Sequence, residues 1–149
     1  MKFAKAFVLL TVILMSVFPA GADDRATTDE AKVMAVKAAA FIKDDGEEKA
    51  FAAFNQAGGQ FHDRDLYVFV LDGKGLMKAH GASAALIGKD TSNLKDVDGK
   101  PFVKEFLAVK GEGWIDYKWR NPQTNAVEPK SAYIIEYPNG FVGVGAYKK

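Results

Sequence analysis

Cysteine is absent from the 149-residue chain, and histidine occurs only twice. The first absence excludes a disulfide framework, a thiol nucleophile and a c-type haem attachment, so packing alone must stabilise the fold. An excess charge of either sign is also missing, with 20 Lys and Arg against 19 Asp and Glu. Such a balance leaves no electrostatic footprint for nucleic acid or an anionic membrane surface. Catalytic signatures are equally scarce. No serine lies in a G-x-S-x-G elbow, and the short GKG and GVG segments lack the glycine spacing and the Lys-Ser/Thr of a phosphate loop. The adjacent carboxylates Asp44 with Asp45 and Glu47 with Glu48 fall at helix ends, where acidic residues are common for dipole reasons. No catalytic set assembles and no cofactor motif is present, which favours a binding or structural role over an enzyme.

Long hydrophobic runs are lacking too, apart from one. Ala6 to Phe18 is apolar, follows Lys2 and Lys5, and precedes Ala20-Gly21-Ala22, an A-x-A cleavage pattern. The run is short for a bilayer span, and Pro19 with the small residues after it favours cleavage over anchoring. Residues 1–22 therefore read as an export signal cut near Ala22/Asp23, so the mature protein is expected outside the cytoplasm. Residues 23–149 are the length of one domain, with about two-thirds of the unfolded surface buried on folding. Without Lys2 and Lys5, 18 basic residues face 19 acidic ones.

Thr27 with Glu30 three residues on predicts a capping box at the start of a helix. In EAKVMAVKAAAFIKDD the helical period groups Val33, Val36, Ala40 and Phe41 near one face, and Asp45-Gly46 interrupts it. EEKAFAAFNQ then continues in helical period to Gly58-Gly59. The texture changes next. LYVFVLD predicts a strand covered on both faces, DGKG a turn and LMKAHG its return. ASAALIGKDTSNLKDVDGK reads as a long loop with weak order signals, and PFVKEFLAV as a helix with proline in its first turn. An aromatic hairpin and a last strand, GFVGVGAY, complete roughly five strands. Helices first and a mostly antiparallel sheet afterwards predict an α+β fold.

Few residues could carry chemistry. His62 beside Asp63 and Asp65 reads as a solvated turn rather than a metal cluster. Asp96, Asp98, Gly99 and Glu105 match positions of a calcium loop, but Leu94 stands where the first ligand oxygen belongs and Pro101 opens a helix inside it. The segment is expected to be an Asp-Gly turn that caps the helix near Pro101, without metal. His80 is a packing residue or a pocket donor to an anion. In GWIDYKWRNPQTNAVEPKSAY, strand alternation places Ile115, Tyr117 and Trp119 on one side and Trp114, Asp116 and Lys118 on the other. Tyr117, Trp119 and Tyr133 are either sheet core or the walls of a cleft. A lysine among such rings, Lys130, suits a small carboxylate. Alternation also puts Lys130 and Tyr133 on opposite faces unless a strand bends or bulges.

DLYVFVLDGKGLMKAHG, LIGKD, LKDVDGKPFVKEF, GEGWIDYKWRNPQTNAVEPKSAY and GFVGVGAY follow one another in an order and spacing that resembles the single Cache domain of the second type. The resemblance implies a PAS-like antiparallel sheet with a long N-terminal helix packed across it, sensing small molecules outside the cytoplasm. Organic acids of two to four carbons are the ligands it implies. On this reading Tyr67, His80, Tyr117, Trp119, Lys130 and Tyr133 are the ligand-binding residues, with Lys130 as the cationic partner of the carboxylate. In receptors of this type the last strand leads into a transmembrane helix. The sequence stops at Tyr147-Lys148-Lys149, so a stand-alone periplasmic module signalling through a membrane sensor or chemoreceptor is expected. The competing expectation is a module without ligand that forms a homodimer through its N-terminal helix.

Overall fold

The computed structural model describes residues 24–148, so the expected export signal lies outside the described residues. Helix α1, Thr28–Asp45, begins at the predicted capping box. The Thr27 hydroxyl accepts from the Glu30 N–H at 3.2 Å, and the Glu30 carboxylate accepts from the Thr27 N–H at 2.7 Å. Gly46, at φ +84°, ends the helix in a conformation that side chains with a Cβ rarely adopt, and α2, Glu47–Asn55, follows at once. The buried face of α1 consists of Ala31, Ala35, Ala38 and Ile42. Val33 and Val36, grouped by the sequence pattern, turn outward instead and are 68% and 48% exposed. Small side chains on the inner face let the helix lie close against the sheet.

Six antiparallel strands form the sheet: β1 (His62–Asp63), β2 (Leu66–Asp72), β3 (Met77–His80), β4 (Glu112–Arg120), β5 (Val127–Tyr137) and β6 (Gly140–Tyr147). Their order is β1-β2-β6-β5-β4, with β3 also paired to β2. The fold is α+β with a PAS-like layout, as expected, and the two-residue β1 accounts for the sixth strand. Leu66, Val68 and Val70 of β2 join Val142, Val144 and Ala146 of β6 under the helices. Tyr67, Phe69 and Leu71 join Ala132, Ile134 and Tyr147 on the other face, where helix α3, Phe102–Leu107, packs. Period-two alternation therefore buries every residue from Leu66 to Leu71, as a strand covered on both sides requires.

The segment between β3 and α3 differs from the weakly ordered loop expected. The Met77 N–H bonds to the Lys89 carbonyl at 2.9 Å, the Gly88 N–H returns to the Met77 carbonyl at 2.8 Å, and the buried Thr91 hydroxyl donates to the Gly75 carbonyl at 2.7 Å. Backbone pairing to β3 and to the preceding turn holds the segment in place, a long-range effect that local composition does not carry. Asp96 does not cap α3, whose N-cap is Pro101. Its Oδ1 accepts from the N–H groups of Asp98 and Lys100, and its Oδ2 from that of Lys118 at 3.1 Å, which ties the loop to β4. No helix among the described residues is long and apolar enough to cross a membrane.

Candidate ligand-binding site

A pocket of about 580 Å³ opens beside β3 and β4 on the sheet face opposite α1 and α2. Tyr67 and His80 form its inner wall, with Ala82, Ser83 and Leu86 following from the turn after β3. The loop at Lys95, Asp96 and Val97 faces the end of β4 and the β4–β5 turn, which contribute Trp119, Arg120, Pro122, Asn125 and Val127. Two of the expected strands thus supply one wall, and the loop that the sequence left unordered supplies another.

Lys130 lies directly behind this wall. It is 1% exposed, and its ammonium donates to the Tyr67 hydroxyl at 2.8 Å. The rings of Tyr67 and Tyr147 surround Nζ at 4.1 and 4.8 Å from their centroids, with Phe69 at 5.7 Å and Tyr117 at 5.9 Å. Ring faces attract a desolvated cation by about 2 kcal/mol, less than the several kcal/mol that its burial costs. Among the described residues no carboxylate comes within ion-pair distance of it. Burial pushes the ammonium down from the ordinary 10.5 to about 7, against the attraction of the Asp65 charge. Asp65 is itself fully buried; its Oδ1 accepts from the Ala26 N–H at 2.9 Å, and its Oδ2 has no hydrogen-bond partner among the described residues.

The direction of each bond follows from the proton inventory. Tyr147 donates its only hydroxyl proton to the Arg120 carbonyl at 2.7 Å, so in its 3.1 Å contact with Tyr67 the donor is Tyr67. A one-way chain results: the Lys130 ammonium to the Tyr67 hydroxyl, that hydroxyl to Tyr147, and Tyr147 to a carbonyl at the pocket edge. Burial pushes the Tyr67 phenol up to about 12, and the neighbouring Tyr147 and Trp119 side chains offset part of that rise. His80 is oriented by its own turn. Its Nδ1 accepts from the N–H groups of Ser83 at 2.9 Å and Ala82 at 3.2 Å, which leaves the proton on Nε2. Burial, helped by the Lys130 charge, pushes the imidazole down to about 3, so it is a neutral donor.

Of the six residues singled out by sequence, Tyr67, His80 and Trp119 stand on the pocket wall. Tyr117 does not. It pairs across the strands with Lys130, stacks on Phe102 at 4.4 Å, and borders a separate cavity of about 20 Å³. His80, Leu86 and Trp119 line both spaces and form the partition between them. Tyr133 is on the other face, against Trp114 and beneath the Lys32 ammonium. The register of β5 runs unbroken from Lys130 to Ile135 against β4 and to Tyr137 against β6, so no bulge carries Tyr133 round to Lys130. The expectation that both line one cavity is corrected on that ground. Lys130 is likewise corrected from a wall residue to one seated behind Tyr67.

Sequence reasoning missed Tyr147, which closes the chain of hydroxyls, and Gly143 and Gly145. A Cβ on Gly145 would run into the Lys130 stem, and one on Gly143 into the Phe69 ring. The signal was present in GFVGVGAY, where glycines alternate with Val142, Val144 and Ala146: those three face the helices α1 and α2, and Gly143 and Gly145 fall on the pocket side of the strand.

The profile of the family described as Single Cache domain 2 matches residues 26–149. Among solved structures, a methyl-accepting chemotaxis protein from Vibrio parahaemolyticus is 22% identical, with a TM-score of 0.67 over 80% of this chain and 86% of that one. A periplasmic sensor domain of a chemotaxis protein is 24% identical, with a TM-score of 0.62 over 81% and 90%. A Cache chemosensory domain solved for its carboxylic acid recognition is 21% identical, with a TM-score of 0.64 over 81% and 88%. At these identities the three likenesses establish the fold, and the profile match establishes the family. The chain belongs to the Single Cache domain 2 family.

Proposed function

We propose that the chain is a non-catalytic periplasmic sensor module that captures an organic acid, with acids of two to four carbons among its ligands, and passes the bound state to a separate membrane partner. Residues 1–22 are its export signal, cut before Asp23. The observation that carries the reading is Lys130, a fully buried ammonium with no carboxylate at ion-pair distance among the described residues, bonded to a tyrosine that stands on the pocket wall. A buried charge without a close partner costs folding free energy, and a ligand carboxylate that accepts from the His80 Nε2–H and draws the Tyr67 hydroxyl proton away from Tyr147 brings negative charge to it. The wall charges agree. Lys95, Lys118 and Arg120 outnumber Asp96, whose two oxygens already accept from backbone N–H groups. The carboxylic acid recognition named for one relative of the same fold is in keeping with it.

Thermal unfolding with a panel of monocarboxylic acids, amines and neutral sugars tests this function. A ligand at one hundred times its dissociation constant stabilises by about 2.7 kcal/mol, a shift of several degrees at this size. Acids should raise the melting temperature and amines should not. A panel in which no acid shifts it overturns the reading.

A second reading has one observation in its favour. Val33 and Val36 are exposed on α1, which suits self-association through that helix with or without a ligand. Sedimentation velocity of the unliganded protein decides whether a homodimer forms, and Val33→Asp should dissociate it.

A further inference from the structure

We infer that the pocket has an outer shelf, built from Leu86, Val97, Pro122 and Val127, which takes the apolar body of an organic acid longer than four carbons while its carboxylate meets Tyr67 and His80. The inference rests on the carboxylate reading above and extends it to the class of acid. Size is the first argument. A four-carbon acid has about six heavy atoms, and granting each the roughly 30 Å³ of a liquid water molecule gives about 180 Å³. The pocket holds about 580 Å³, so such an acid leaves most of it empty.

The composition of the empty part is the second argument. Val97 is 67% exposed and Val127 is 42% exposed, and both line the pocket. Exposed apolar residues that line one polar-rimmed groove mark a binding surface for an apolar group. The polar groups of Arg120, Lys118 and Asp96 are already engaged. The Arg120 guanidinium donates to the Asn125 carbonyl at 2.6 Å and to its side-chain oxygen at 3.2 Å, and the Lys118 ammonium pairs with Asp98 at 2.7 Å. Both Asp96 oxygens are held by backbone N–H groups. An alkyl chain laid along the shelf therefore displaces water without stranding a hydrogen-bonding group, whereas a polyol there finds few free partners.

Calorimetric titration of residues 23–149 with acetate, butyrate, hexanoate and octanoate, below their micellar concentrations, tests the shelf. Partial burial of each methylene should tighten binding about two- to fourfold, so octanoate should bind at least tenfold more tightly than butyrate. In Val97→Ser and Val127→Ser, substitutions at exposed positions that leave the fold intact, the octanoate advantage should shrink at least threefold while butyrate is unaffected. Butyrate binding as tightly as octanoate overturns the shelf and leaves the carboxylate reading standing. An octanoate advantage that survives both substitutions also overturns it, since the chain then lies elsewhere. Failure of every acid to bind overturns both.

Discussion

The ammonium of Lys130 donates to the hydroxyl of Tyr67 at 2.8 Å, and of the two only the tyrosine faces the pocket. The positive charge of the site is thus held one residue back from solvent, and the Tyr67 O–H is polarised by it. On the proposed function, a ligand carboxylate that takes the Tyr67 proton from Tyr147 meets a neutral hydroxyl whose donor strength depends on the charge behind it.

That arrangement makes binding depend on pH through one group. Between pH 6 and 10 His80, at about 3, stays neutral and Tyr67, at about 12, stays protonated, whereas Lys130, at about 7, titrates. A bound carboxylate favours the ammonium, so affinity should be level near pH 6 and fall by up to about tenfold per unit above pH 8. Stability without ligand should run the other way. The folded Lys130 releases its proton near 7 and the unfolded one near 10.5. Across that window the unfolded chain binds more protons, and stability rises with pH. Titration calorimetry and urea unfolding at pH 6, 8 and 9 check both slopes; affinity that is flat to pH 9 would show that Lys130 does not sense the ligand.

Gly145 makes room for the Lys130 stem. Gly145→Ala should destabilise by about 1–3 kcal/mol through overpacking and displace the ammonium from Tyr67. Acid affinity should fall at least tenfold. An unchanged melting temperature together with unchanged affinity would mean that the stem does not lie against β6.

How much of this was legible in the sequence varies from residue to residue. Local signals carried the elements: the capping box at Thr27 and Glu30, the doubly buried run from Leu66 to Leu71, and the aromatic hairpin. Alternation also separated Lys130 from Tyr133, and the unbroken register of β5 kept them apart. What could not be read was long-range. The pairing of Met77 with Lys89, the seat of Lys130 behind Tyr67, and the entrance of Tyr147 into the hydroxyl chain all depend on contacts between distant segments. The outward turn of Val33 and Val36 was hidden for a related reason: alanines on the opposite face fit the sheet more closely than valines do.

Glu128 fastens the β4–β5 turn to the start of the domain. Its carboxylate accepts both arms of the Arg25 guanidinium at 2.9 and 3.1 Å, the Asn121 amide at 2.9 Å and the Thr124 hydroxyl at 2.8 Å. Glu128→Ala should destabilise by about 1–2 kcal/mol, because Asn121 is buried and loses its acceptor. The turn that carries Asn125 and Val127 loosens with it, so acid affinity should drop about threefold. A urea midpoint and a dissociation constant that both stay unchanged would remove Glu128 from this role.

The central measurement is acid binding and melting temperature of Lys130→Met compared side by side with the unaltered protein at pH 6, where Lys130 is charged. Met keeps the stem and deletes a buried cation that lacks a close counter-ion, so the melting temperature should hold or rise. Acid affinity should fall at least tenfold, about 1.4 kcal/mol, because Tyr67 loses the charge that strengthens its hydroxyl. Opposite movements of stability and affinity are the signature of a lysine kept for its ligand. Binding within threefold of the unaltered protein would contradict the role given to Lys130 and, with it, the carboxylate site.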